Sequence, residues 1–172
     1  MLVVVSDTHA RTDHRLAGRT LAAVRDADLV VHAGDFNREP VLDAFVEESS
    51  EFLGVYGNTD DGAVRDRLPA AREFDYRGLR FVVTHTRDGG PTALSLFGRQ
   101  RDADVVVFGH SHRPTLDVSG PVALLNPGSH AQPRGNRPGH AELEPTDEGL
   151  RCRLVTPDGE VFAEETLDAG GR

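Results

Sequence analysis

Leu2-Val3-Val4-Val5-Ser6-Asp7-Thr8-His9 opens the chain with four consecutive apolar residues and then turns abruptly polar. A short apolar run of this kind, rich in valine and without alternation, reads as a strand buried on both faces. The pattern returns four times. Leu29–His32 gives way to Gly34-Asp35, residues 52–56 to Gly57-Asn58-Thr59-Asp60, Leu79–Thr84 to His85, and residues 105–108 to Gly109-His110-Ser111-His112. Helical spacings lie between the runs. Leu16, Thr20, Leu21, Val24 and Ala27 share one face, as do Val41, Leu42, Phe45 and Val46 after Pro40; the proline suits a first helical turn. A third helix is expected from Pro91 to about Arg101, with Ala93, Leu94 and Phe97 inward.

Each polar cluster follows the carboxyl end of its strand. Successive clusters are roughly 25 residues apart, close to the ~30 residues of a strand–helix–strand unit. Parallel neighbours at that spacing bring all five ends to one edge of a sheet, where open α/β folds place their sites. After residue 113 the helical spacing stops. Residues 115–118, 122–125, 140–145, 150–155 and Val161–Leu167 read as strands, separated by turns such as Asp147-Glu148-Gly149 and Pro157-Asp158-Gly159. Hairpin connections of that length make this half mostly antiparallel. The expected architecture is α/β: early βαβ units and a late antiparallel meander, layered as sheets with helices outside, in a single domain over residues 1–172. The tail after Asp168 is expected to fray.

No apolar run approaches the roughly 20 residues that cross a membrane, and no basic segment precedes the first strand, so a cytoplasmic location is expected. The one cysteine, Cys152, offers neither an internal disulfide nor a thiolate cluster and is expected to be buried and inert. Net charge is −9, and all 19 basic residues are arginine. Such a surface speaks against a nucleic-acid duplex as partner, since duplex binding draws on neutralised phosphates. A GC-rich genome explains the missing lysine but not the surplus of acid. The surplus instead suits a salt-rich cytoplasm that screens self-repulsion. The melting temperature is therefore expected to rise between low and molar potassium chloride; a flat response would remove the idea.

The polar clusters contain two aspartates, one asparagine and four histidines: Asp7, His9, Asp35, Asn58, His85, His110 and His112. Singly, each has an ordinary reading as a cap, a turn residue or a packed histidine. Converging together without a basic partner, they are costly to bury empty, and a pair of divalent cations satisfies them all. Oxygen donors mixed with imidazole suit manganese first, with nickel, iron or zinc as alternatives, over calcium or magnesium. One carboxylate can bridge two ions about 3.5–4 Å apart, the spacing used for in-line displacement at phosphorus.

In order and spacing, Asp7-x-His9, Gly34-Asp35, Gly57-Asn58-x-Asp60, His85 and Gly109-His110-x-His112 resemble the calcineurin-like metallophosphoesterase signature. Asn126-Pro127-Gly128-Ser129 followed by Pro133-Arg134 resembles the compact prokaryotic phosphodiesterase branch. The resemblance covers about residues 1–135 and implies an αββα sandwich. It places Asp7, His9, Asp35 and His112 at one ion, and Asp35, Asn58, His85 and His110 at a second. It further implies hydrolysis of a small phosphoester by metal-activated water attacking in line, with Asp35, Asn58 and Asp60 in the catalytic group. Asp60 serves there as hydrogen-bonding support. Members of this size often associate, so a second copy is an expected partner.

Three positions depart from the family pattern. Thr59 stands where many members carry a histidine that can protonate the leaving group, Thr86-Arg87 stands where Gly-His is common, and Ala10 replaces a glycine. Arg87, His130 and Arg134 are candidate substrate contacts, His130 also as a substitute proton donor. His32 is read as packing, His14 and His140 as surface residues. A eukaryotic retromer scaffold subunit resembles the same fold, so a metal-binding interaction protein with little turnover is the alternative. The retained His9 favours the enzyme.

Overall fold

A computed structural model describes residues 1–168; the tail beyond them, where fraying is expected, lies outside the described residues. Its first strand, β1 (Leu2–Val5), is buried throughout. Leu2 and Val4 belong to one hydrophobic core, Val3 and Val5 to another. Successive strand residues point to opposite faces, so a strand shared by two cores must lie between two layers. The chain continues through α1 (Gly18–Asp26), β2 (Leu29–His32), α2 (Glu39–Glu48), β3 (Phe52–Gly54), α3 (Gly62–Arg67), β4 (Ala71–Tyr76) and β5 (Leu79–Thr84). Then follow α4 (Gly90–Arg99), β6 (Val105–Val107), β7 (Thr115–Asp117), β8 (Ala123–Asn126), β9 (His140–Thr146), β10 (Gly149–Val155) and β11 (Val161–Leu167).

These strands form a six-stranded sheet in the order β11-β10-β9-β1-β2-β3 and a five-stranded sheet in the order β4-β5-β6-β8-β7. Leu2, Val4 and Leu143 of the first sheet meet Phe81, Val83 and Val107 of the second in the central core. Outside the first sheet, Val3, Val5 and Val30 pack against Ala23 and Val24 of α1, Leu42 and Phe45 of α2 and Val64 of α3. Outside the second, Val82 and Val106 pack against Leu94 and Phe97 of α4. The four layers are therefore helix, sheet, sheet, helix.

One expectation about the sheets needs correction. The five polar strand ends come from two sheets rather than one. β1, β2 and β3 are parallel in the first sheet, and β5, β6 and β8 are parallel in the second. The chain crosses between them through α3 and β4, neither of which carries a sequence signal. β4 is an edge strand whose residues alternate between half-buried and exposed, so it lacks the continuous apolar run of its neighbours. The spacing survives the crossover because a short helix and an edge strand occupy as much chain as one longer helix.

His140 is also corrected, from a surface residue to a fully buried one. Its Nε2 lies 3.0 Å from Glu142 Oε1, and Arg19 of α1 forms a bidentate pair with the same carboxylate at 2.6 and 2.8 Å. Arg153 adds a contact at 3.1 Å from the neighbouring strand. Burial alone would raise the Glu142 carboxyl; hydrogen bonds and charge from His140 and Arg19 outweigh it and bring the group from 4.5 down to about 2. Burial pushes His130 the other way for an imidazole, from 6.5 down to about 4.

Both shifts leave the unfolded chain binding more protons, so both favour the fold at high pH. The His130 contribution is complete above about pH 6.5 and is lost as pH falls through 4, while that of Glu142 is complete above about 4.5 and is lost as pH falls through 2. Each is of order 3 kcal/mol. Acid unfolding monitored by circular dichroism should therefore begin below about pH 6.5 and steepen below 4.5. In Glu142→Gln the lower-pH loss should disappear, and its persistence would contradict the assignment.

Candidate metal centre

The loops that leave β1, β2, β3, β5 and β6 interlock through their main chains. Asp7 N–H donates to Gly34 O and His9 N–H to Asp35 O, both at 3.0 Å, and Gly109 N–H donates to His85 O at 3.0 Å. β8 and the loop that follows it buttress them. Asn126 Nδ2 donates to Gly109 O at 3.0 Å, and Ser129 Oγ donates to Asp7 O at 2.7 Å. This frame brings Asp7, His9, Asp35, Asn58, His85, His110 and His112 together.

Each carboxylate turns one oxygen toward the imidazoles, and Asp7 Oδ1 there also shares the His110 N–H at 3.2 Å. Asp7 Oδ2 accepts from Ser6 Oγ at 2.7 Å and from His110 N–H at 3.0 Å. Its Oδ1 lies 3.4 Å from His112 Nε2 and 3.8 Å from His9 Nε2. Asp35 Oδ1 accepts from Thr59 N–H at 2.9 Å, while Oδ2 lies 3.4 Å from His9 Nε2 and 3.2 Å from His85 Nε2. Burial would raise the Asp35 carboxyl, but the hydrogen bond and charge of His85 and the Thr59 contact hold it well below the usual carboxylate range. No arginine pairs with either carboxylate among the described residues.

The imidazoles are oriented from behind. His85 Nδ1 donates to Ala33 O at 2.7 Å, and His112 Nδ1 donates to Gln132 O. A carbonyl can only accept, so both rings carry a proton on Nδ1 and leave Nε2 as the atom that can offer a lone pair to a cation. Burial would lower the His85 imidazole, but the hydrogen bond and charge of Asp35 hold it above its ordinary value, so a cation at Nε2 takes the place of a proton there. His9 Nδ1 lies 3.1 Å from Asn37 Oδ1, which fixes the same tautomer. His9 and His112 consequently aim two lone pairs at one another, with Nε2 atoms 3.1 Å apart and rings stacked at 4.9 Å. Beside them, Asn58 Oδ1 sits 3.1 Å from His85 Nε2 and 2.9 Å from His110 Nδ1.

Without a cation these acceptors repel. The 3.1 Å nitrogen separation fits two ligands each about 2.1 Å from one ion, and the mix of carboxylate, carboxamide and imidazole donors fits a divalent transition metal. Two three-residue groups have ligand atoms within 4.8 Å of one another: Asp7, His9 and His112, and Asp7, Asp35 and His85.

Backbone conformation at the donors points the same way. Asp7, His9, Asp35, His110 and His112 all have positive φ, at 56°, 45°, 64°, 70° and 56°. The left-handed region costs a non-glycine residue roughly 1–2 kcal/mol, and such strain gathers where side-chain direction matters more than backbone comfort. Two glycines make room. A Cβ on Gly57 would stand 2.1 Å from Asp35 Oδ1, and one on Gly109 would stand 2.1 Å from Ser6 Oγ and 2.6 Å from Asp7 Oδ2.

Asp60 is close by but faces away from the cluster. Its Oδ2 accepts from Gly57 and Asp35 N–H at 2.7 and 3.0 Å, and its Oδ1 accepts from Asn37 N–H at 2.7 Å. It thereby ties two ligand loops together. Burial raises its carboxyl against these bonds. Arg87 lies at the edge of the cluster, stacked on Phe97. Arg134 is exposed on the loop that supplies the Gln132 carbonyl. His130 is not brought to the cluster: it is buried behind it, with Nε2 2.9 Å from His14 O.

Sequence reading missed Asn37, whose Oδ1 accepts both from His9 and from Thr59 Oγ1, the latter at 2.7 Å. A single asparagine on a loop carries no spacing signal. Removing a group that orients a metal-binding imidazole typically costs 10–100-fold in affinity. Asn37→Leu is expected to weaken manganese binding by about that factor in calorimetric titration, and unchanged affinity would contradict this role.

Comparison with known proteins agrees with the geometry. The family described as the calcineurin-like phosphoesterase superfamily domain has a model that matches residues 1–148. A probable metallophosphoesterase of Methanothermobacter thermautotrophicus is 29% identical over 159 residues, covering 90% of this chain and 91% of its own. A phosphodiesterase of Methanocaldococcus jannaschii is 24% identical over 136 residues, covering 73% and 81%. Among solved structures, wild-type Vps29 of Entamoeba histolytica complexed with Zn2+ superimposes with a TM-score of 0.76 at 23% identity, covering 97% and 99%. Likeness at that identity shows the fold.

Proposed function

Because the chain belongs to the calcineurin-like phosphoesterase superfamily, we propose that it is a phosphodiesterase working with two divalent cations, manganese first among them. The observation that supports this reading is the pair of inward lone pairs on His9 and His112, 3.1 Å apart, with Asp35 Oδ2 next to both His9 and His85. Asp7, His9, Asp35 and His112 would hold one ion, and Asp35, Asn58, His85 and His110 the other. Bound there, the ions supply positive charge to phosphoryl oxygens and lower the pKa of an attacking water.

The chain's own residues hold this arrangement and limit what it can do. Asp60 and Arg65 fix the 57–60 loop and so the Asn58 carboxamide; Arg65 donates to the carbonyls of Asp60 and Asn58 at 2.8 and 2.9 Å. Thr59, in the position where a proton donor would stand, gives its hydroxyl hydrogen to Asn37 Oδ1. A hydroxyl is in any case a poor acid at neutral pH. The leaving oxygen then departs without a protein proton, which favours esters of acidic alcohols and phenols.

The test is turnover by the metal-loaded chain on aryl diesters of graded leaving-group pKa. A steep decline in rate as leaving-group pKa rises supports the reading, and a flat profile would show that a proton donor operates. No turnover on any diester would defeat the phosphodiesterase itself.

A further inference from the structure

Two clefts flank the donor cluster. One, of about 320 Å3, is lined by His9, Arg11, Asn37, Arg38, Thr59 and Asp61. The other, of about 260 Å3, includes Asn58 and His85 together with Tyr56, Arg65, Thr86 and Arg87. A diester carries two arms on one phosphorus, and a phosphate seated at the cluster would send one arm toward each cleft.

The clefts differ in how their cations are occupied. In the first, Arg38 pairs with Asp61 at 3.4 Å, and Arg11 is exposed to solvent. In the second, Arg65 spends its guanidinium on the carbonyls of Gly57, Asn58 and Asp60. Arg87 is different. It pairs with no carboxylate among the described residues, and its Nε is buried without a partner. Its guanidinium carbon lies 3.8 Å from the centre of the Phe97 ring. Arg101 sits at the same distance from that ring and is matched by Glu73 at 3.3 Å. Two guanidinium groups thus share one ring, and only Arg101 of the two has a carboxylate.

A stacked guanidinium has already lost much of its freedom, so less is lost when it grips an anion, and its planar fork matches phosphate in two parallel hydrogen bonds. On a chain of net charge −9, a half-buried arginine left without a counter-anion beside a phosphate-binding centre is out of keeping with the rest of the surface. Resting on the phosphodiesterase reading above, we infer that the second cleft receives an ester arm bearing a further phosphate, and that Arg87 selects it. The preferred substrate is then a small diester with a phosphomonoester on one arm.

The experiment compares the p-nitrophenyl ester of thymidine 5′-phosphate with the same ester carrying a 3′-phosphate, using manganese-loaded protein. Both release p-nitrophenol, so the leaving group is held constant. Wild-type kcat/KM is expected to be at least about tenfold higher for the 3′-phosphorylated ester, equivalent to about 1.4 kcal/mol. Arg87→Met, which still covers Phe97, is expected to bring the ratio close to one, and Arg87→Lys to restore part of it. A wild-type ratio near one would overturn the inference, as would a ratio that survives in Arg87→Met or a parallel fall on both esters. Turnover of bis-p-nitrophenyl phosphate with neither thymidine ester cleaved would also overturn it. Failure on bis-p-nitrophenyl phosphate as well would instead remove the phosphoesterase reading on which it stands.

Discussion

Asp35→Asn is expected to lower diester turnover by roughly a thousandfold or more and to reduce the number of ions held per chain. The substitution keeps the shape of the side chain, and Thr59 N–H can still donate to Oδ1. What changes is the inward atom. Asp35 Oδ2, 3.4 Å from His9 and 3.2 Å from His85, becomes an NH2 group that offers hydrogens to both lone pairs. Ligation is replaced by hydrogen bonding, and a carboxylate oxygen next to both His9 and His85 is lost. Losing a single preorganised electrostatic group costs on the order of a hundred- to a thousandfold in rate, and a shared ligand acts on both ions. Full activity in Asp35→Asn would contradict the shared role.

Loading the parent protein with metal should raise its melting temperature by roughly 10 °C or more over the chelated form. Each ion at a hundred times its Kd adds about 2.7 kcal/mol of stability, and two add about 5. In a chain of 150–250 residues, 1 kcal/mol moves the melting temperature by roughly 2–4 °C. The effect should be large because the folded metal-free chain already bears most of the cost of the site: the left-handed backbone at five donors and the opposed lone pairs of His9 and His112. Differential scanning calorimetry with and without chelator measures it. The shift should largely vanish in Asp35→Asn, and an equal shift in both proteins would place the ions elsewhere.

The legible parts of this molecule were those written in period and order. Valine-rich runs ending in a ligand-type residue announced the parallel strands, because a strand buried on both faces has no polar alternation to blur it. The seven candidate donors that the fold brings together were legible for the same reason: each sits just past such a run. β4 was not legible, since an edge strand with one half-exposed face carries little apolar signal. Nor was the division of the strands between two sheets, because interval length cannot distinguish one long helix from a short helix plus an edge strand. Contacts distant in sequence were hidden as well. His140 looked like a surface residue because Arg19, which shares its Glu142 partner, comes more than a hundred residues earlier. Asn37 was hidden because its role depends on where the His9 ring falls.

The most direct test of a two-ion phosphodiesterase is hydrolysis of bis-p-nitrophenyl phosphate by metal-stripped protein as manganese is titrated in. The account predicts no turnover without metal and a rise that levels off near two ions per chain. Full activity in chelator would contradict it. So would two tightly bound ions with no turnover on any diester, a result that would leave a metal-holding binding surface in place of an enzyme.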